Sequence, residues 1–85
     1  MTKTDVRNAI IEIINEIAPE ADTETLVDTE SLKDQIGLDS MDFIDLVMEL
    51  RKRHKVEVPK EDYKHLNTME NCVSYLLPKF GKLAA

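Results

Sequence analysis

Apolar residues recur at helical spacing near the start of the chain. Val6, Ile10, Ile13, Ile14 and Ile17 stand at i, i+4, i+7, i+8 and i+11, which is one face of a helix. Thr2 and Asp5 form an S/T-x-x-D start signal ahead of it, a pairing in which each side chain reaches the other's backbone N–H. Pro19 closes the pattern soon after Ile17, because a proline pushes the residue before it out of helical geometry. The same face returns at the far end as Met69, Val73, Leu76, Leu77 and Phe80. That last helix is expected to start near Asn67 or Thr68, to be kinked or ended early by Pro78 and to be stopped by Gly81.

A central helix is predicted from about Ser40 to Arg53, with Asp39 or Ser40 as its cap. Met41, Ile44 and Met48 make one apolar stripe along it; Phe43, Leu46, Val47 and Leu50 make another. Together they are too wide for a single buried face. In a domain of 85 residues no helix is buried all round, so part of this surface is expected to meet partners or cargo. The plainer alternative is a core helix touching every other element. Arg51, Lys52, Arg53, His54 and Lys55 close the helix, where cations complement the negative end of the dipole. Val56–Val58 reads as an extended piece before Pro59, followed by a short helical turn with Tyr63 and Leu66 facing inward.

Residues 18–38 have weak periodicity and read as one long connection. Leu26, Val27, Leu32, Ile36 and Leu38 are spaced through it. A solvated linker has little use for five such residues, so the segment is expected to pack back on the core, as long functional loops do. The expected fold is all-α: a four-helix bundle of three longer helices and one short one, with a long first loop. Residues 1–85 make one domain.

The net charge is −6. A nucleic-acid binder needs clustered Lys and Arg, so that class is set aside; an acidic protein is steered instead toward basic patches on other proteins. Cys72 is the one cysteine, which rules out an internal disulfide and fits a reducing compartment. No apolar run approaches the roughly 20 residues of a membrane span, and MTKTDVRNAI has no apolar signal-peptide region. The expectation is a cytoplasmic monomer without membrane insertion. Metal sites fail on spacing. A calcium loop from Asp34 would place Ile36 and Leu38 where acids are needed, and His54 and His65 have no zinc-like partners. Cys72 reads as a small packing residue beside the last helix's apolar face.

The informative stretch is Ile36-Gly37-Leu38-Asp39-Ser40-Met41-Asp42. Ser40 stands where an irregular segment turns into a helix. The first N–H groups of a helix lack internal partners and the dipole is positive there, so a phosphate on this hydroxyl would sit in a favourable field. A G-x-D-S string alone is weak, since serine is also a common cap. In context it is specific. Over roughly residues 4–80 the chain resembles the acyl carrier protein family, including the peptidyl and aminoacyl carrier domains. The attachment string of that family reads approximately L-G-x-D-S-[LM]-[DE] before an apolar helix, and V-E-V-P at 56–59 matches the extended piece before its third helix.

That resemblance implies a non-catalytic carrier. Ser40 would receive 4'-phosphopantetheine from coenzyme A through a phosphopantetheinyl transferase, and the arm's thiol would hold an acyl group as a thioester. Ser40 would be a covalent anchor, with no His or Lys beside it in sequence to act as a base. Asp39, Asp42, Asp45 and Glu49 would meet basic patches on partner enzymes, and Met41, Ile44 and Met48 would make apolar contacts beside the arm. Leu46, Val47 and Leu50 would lie near a cargo pocket. Partners would be acyl or aminoacyl ligases, transferases and synthases of fatty acid, specialised lipid or secondary-metabolite biosynthesis. Asp42, Asp45 and Glu49, at i, i+3 and i+7, share one helical face; as a plain solvated surface they would need no partner.

Some residues depart from the family pattern. Arg51–Lys55 is basic where housekeeping fatty acid carriers continue with acids, Phe43 replaces a small or polar residue, and Tyr63 and Lys64 interrupt an acidic stretch. They imply a specialised carrier with altered partner choice. Two other functions fit the residues less closely: a D-alanyl, aminoacyl or peptidyl carrier with the same arm, and an acidic helical adaptor that never receives one.

Overall fold

A computed structural model describes residues 2–84, with side chains described through Phe80. The chain is all-α: α1 (Lys3–Ile17), α2 (Leu32–Ile36), α3 (Ser40–His54), a 3₁₀ helix (Lys60–Leu66) and α4 (Met69–Ala84). Helix α1 packs against both α3 and α4, and the 3₁₀ helix lies against α4. Val6, Ile10, Ile13 and Ile14 of α1 meet Leu46 and Leu50 of α3 and Met69, Leu76 and Phe80 of α4 in one continuous core. Ile17 and Leu77, read as members of the inward faces, are only half-buried at its edge.

The start of α1 is the expected capping box. The Thr2 hydroxyl accepts from the Asp5 N–H, and the Asp5 carboxylate accepts from the Thr2 N–H. The Thr2 backbone N–H and then its hydroxyl hold the Asp5 carboxyl below its ordinary value. Asp22, bonded by the Thr25 hydroxyl and the Thr25 and Glu24 N–H groups, is lowered too. A carboxyl lowered on folding contributes stability above the ordinary carboxylate range and loses it as pH falls through the folded value.

The 18–38 connection is not one loop. Residues 32–36 form α2, with Ser31 as N-cap, its hydroxyl accepting from the Asp34 N–H, and Gly37 ending it at φ +72°. Five residues are too few to display a period, and the left-handed turn needs a residue such as glycine. Leu26, Leu32 and Leu38 are the buried anchors, whereas Ile36 is half-buried and Val27, expected inside, is 49% exposed. The backbone of Val27 does the holding instead. Its N–H donates to the Gln35 Oε1 and its carbonyl accepts from the Gln35 Nε2, at 2.8 and 2.7 Å.

Three further contacts fasten the connection to the bundle. The Arg7 guanidinium grips the Asp28 carboxylate with both Nε and Nη2. The Glu70 N–H donates to the Asp28 carbonyl at 2.9 Å, and the Leu32 N–H to the Asn67 carbonyl at 2.8 Å.

Helix α4 runs through both expected breakers, with Pro78 inside it and its helical backbone continuing past Gly81 to Ala84. A mid-helix proline costs about 3 kcal/mol. Here Leu76 and Phe80, buried on either side of exposed Pro78, offset that cost. Tyr63 of the 3₁₀ helix is half-buried, while Leu66 is fully inside.

Leu32→Ala is expected to cost roughly 2–5 kcal/mol, whereas exposed Val27→Ala changes stability by less than about 0.5 kcal/mol. Thermal denaturation of both variants checks this; equal losses would mean that the connection is not anchored as described.

Candidate functional site

Helix α3 begins with a second capping box. The Asp39 carboxylate accepts from the Asp42 N–H at 3.0 Å, and the Asp42 carboxylate accepts from the Asp39 N–H at 3.2 Å. Of the two caps considered, Asp39 fills the role, and Ser40 becomes the first helical residue. Its side chain is therefore free of capping duty, and the residue is exposed. The N–H groups of Ser40 and Met41 lie in the first turn, where no intrahelical acceptor exists. Buried Leu38, two residues upstream, roots this turn in the core.

The remaining residues of α3 separate into three sets. Leu46 and Leu50 are wholly buried and Val47 nearly so; they are core residues first, in the cluster where α3 packs on α1. On the opposite side Met41 is 73%, Ile44 44% and Met48 62% exposed. The three make one exposed apolar stripe along the helix. Phe43 is half-buried and packs on the core, a plain structural reason for its size.

The acids also divide. Asp39 and Asp42 serve the capping box, and Glu49 is half-buried with its carboxylate held by Arg53 Nε at 2.8 Å. Arg53 also bridges to Glu16 of α1. Of the four acids singled out, Asp45 alone is exposed and makes no hydrogen bond or ion pair among the described residues. The helical face shared by Asp42, Asp45 and Glu49 is therefore partly committed to internal contacts.

Where α3 leaves the bundle, Lys55 takes a left-handed turn at φ 56°; its N–H bonds back to the Arg51 carbonyl and the Val56 N–H to the Leu50 carbonyl. The chain then turns along α3 and leaves an open cleft of about 360 Å³, lined by Val47, Met48, Arg51, Glu57, Val58, Pro59 and Tyr63. Of the three proposed cargo-pocket residues only Val47 lines it. Val58, Pro59 and Tyr63 were not singled out for it, since only the fold brings them opposite α3.

Both histidines lie against aromatic rings. Among the described residues there is no grouping of His, Cys, Asp and Glu that could hold a metal ion, and no helix is long and apolar enough to cross a membrane. The His54 ring lies 5.0 Å from that of Phe80, and His65 stacks on Tyr75, whose hydroxyl donates to Asp62.

The bundle thus presents an exposed serine at the head of a central helix, beside an exposed apolar stripe. A profile of the phosphopantetheine attachment site matches residues 8–76. The acyl carrier protein of Brachyspira hyodysenteriae is 32% identical over 56 residues, 66% of this chain and 72% of its own. Those of Chlorobium luteolum and Chlorobium phaeovibrioides are 29% and 28% identical over 80 residues, 93% of this chain and all of theirs. The chain belongs to the acyl carrier protein family. It is a non-catalytic carrier with a phosphopantetheine attachment domain, whose prosthetic group is a covalently attached 4'-phosphopantetheine. Its partners are phosphopantetheinyl transferases and biosynthetic enzymes.

Burial pushes the Cys72 thiol up to about 12, so at neutral pH it is an unreactive thiol inside the core. The folded protein without an arm is expected to show no thiol to Ellman's reagent at pH 8, and one after unfolding in guanidinium. An immediate reaction without denaturant would contradict the burial. Asp39→Ala should cost about 1 kcal/mol through loss of the cap, read as a shift in the denaturation midpoint.

Proposed function

We propose that Ser40 is the phosphopantetheine attachment residue and that residues 1–85 act as a single monomeric carrier domain in the cytoplasm. The observation that carries the reading is an exposed serine relieved of capping by Asp39, at the positive end of α3. The group fits this position. A phosphodiester on Ser40 Oγ would lie near the unpartnered N–H groups of the first turn, and the open surface leaves room for a transferase. When attached, the arm supplies a thiol that holds a carried group as a thioester. Unpaired, buried Cys72 would not compete with it.

The rest of the chain acts by presentation. The capping box and buried Leu38 fix the direction in which Ser40 leaves the bundle. Met41, Ile44 and Met48, with Asp45, offer partner enzymes a contact surface. The cleft, where apolar Val47, Met48 and Val58 stand with charged Arg51 and Glu57, would take part of a cargo. Tethering raises the effective concentration of the carried group at each enzyme in turn, while the carbon chemistry belongs to those enzymes.

The carried group is an acyl chain, in a specialised branch of lipid or secondary-metabolite biosynthesis. Three features support this reading: the names of the relatives, the basic end of α3 and the modest identity to those relatives.

Intact mass after incubation with coenzyme A and a broad-specificity phosphopantetheinyl transferase tests the attachment. Wild type is expected to gain one phosphopantetheine and Ser40→Ala none; a gain in both would place the arm on another residue, and none in either would favour an unmodified adaptor. Once loaded, the protein is expected to be a poor substrate for general fatty acid elongation enzymes. Efficient elongation by them would remove the case for specialisation, and loading by an amino acid ligase would make the carrier aminoacyl.

A further inference from the structure

The outward face of α3 changes sign along its length. At 100° per residue, Met41, Asp45, Met48 and Lys52 project in nearly the same direction, with Ile44 and Arg51 beside them. All six are exposed. Asp45 lies one turn before Met48 and Lys52 one turn after it, so opposite charges sit roughly 10 Å apart across an apolar centre. The other charges of the helix do not blur this pattern. Glu49 and Arg53 are turned aside into the pair that ties α3 to α1. Among the described residues Arg51 pairs only with Glu57, at 3.8 Å with both side chains more than 70% exposed, a pairing worth little in water. Exposed Lys55 follows directly on the end of the helix.

We infer that the enzyme docking on this face carries a matching bipolar surface: a cation opposite Asp45, an apolar depression for Met41, Ile44 and Met48, and an acidic residue opposite Arg51 and Lys52. The inference rests on the carrier reading and deepens it by naming the partner's chemistry. An enzyme whose docking surface is basic throughout meets Arg51 and Lys52 as repulsion, and such a mismatch is an effective way to reject a wrong partner. A second copy, turned antiparallel, would also set Asp45 against Lys52. Three apolar side chains bury far less than the roughly 1,200 Å² of a stable interface, which speaks against a lasting dimer and for a transient contact with an enzyme that the carrier visits and leaves.

The test needs no arm on the carrier, so it fails or succeeds separately from the mass experiment. Isotope-labelled, unloaded protein is titrated at low salt with one condensing enzyme of fatty acid elongation. The enzyme is used in two forms: its parent form with a Lys/Arg-rich docking surface, and a form with glutamate at the basic position that cross-links to Arg51→Cys.

R51E/K52E is expected to bind the parent enzyme about three- to tenfold more tightly than wild type. R51Q/K52Q should fall between, and the differences should shrink in high salt. The preference should invert with the glutamate form. Equal affinities of wild type and R51E/K52E for both forms, or no cross-link from Arg51→Cys on the docking surface, would overturn the proposal. So would a dimer in sedimentation that is lost in D45K, which would give the face to a second copy. All substituted positions are exposed; R51E/K52E gives up two cations at the negative end of the helix dipole, so a cooperative melt only a few degrees lower in that variant verifies that the fold is kept.

Discussion

The structure depends on holding an irregular stretch of more than twenty residues against a small core. Between the end of α1 and Ser40 the chain has no long helix to supply its own hydrogen bonds, and ordering each such residue costs on the order of 1–2 kcal/mol. Leu26, Leu32 and Leu38 offset part of that cost by burial. Gln35 satisfies the Val27 and Glu30 backbone, and Asp28 joins the segment to Arg7 on one side and to the Glu70 N–H on the other. Each contact is small, but their order matters. They fall in succession along the chain and end at Leu38, so that the direction of α3 and the exit of Ser40 follow from them.

Helix α3 then divides its circumference among incompatible tasks. One side supplies Leu46, Val47 and Leu50 to the core. A flank spends Glu49 and Arg53 on the joint with α1. The remaining side is left apolar and charged in water. This division explains why the helix looks over-hydrophobic in sequence: two apolar faces serve two different environments, and only one of them is inside the protein.

The long elements were legible because their periods are. The faces of α1 and α4 could be read off Val6–Ile14 and Met69–Phe80, and the box at Thr2 and Asp5 off its spacing. The proposal for Ser40 rests on a local string and a family resemblance, with no period behind it. What escaped had no periodic trace. The five residues of α2 are bracketed by Ser31 and Gly37, a signal that was present but short. Gln35 looks like any surface amide until the loop folds over it. Val27 and Leu26 are indistinguishable by composition, and which one turns inward is decided by tertiary contacts. Pro78 and Gly81 were read by local propensity, which packing of Leu76 and Phe80 overrides. The cleft residues Val58, Pro59 and Tyr63 are distant from Val47 in sequence, so no motif could join them.

Both ends of α3 are locked, by the reciprocal side-chain-to-backbone bonds of Asp39 and Asp42 and by backbone bonds at the left-handed Lys55, and no glycine or proline lies between. The helix is therefore a ruler of fixed length, about 22 Å from end to end. Any enzyme that reads two points on it reads a distance as well as two charges. Because that distance is set before the encounter, binding involves no ordering of the carrier's backbone. A weak, rapidly reversed contact can then be selective, as a carrier that must leave each enzyme in turn requires.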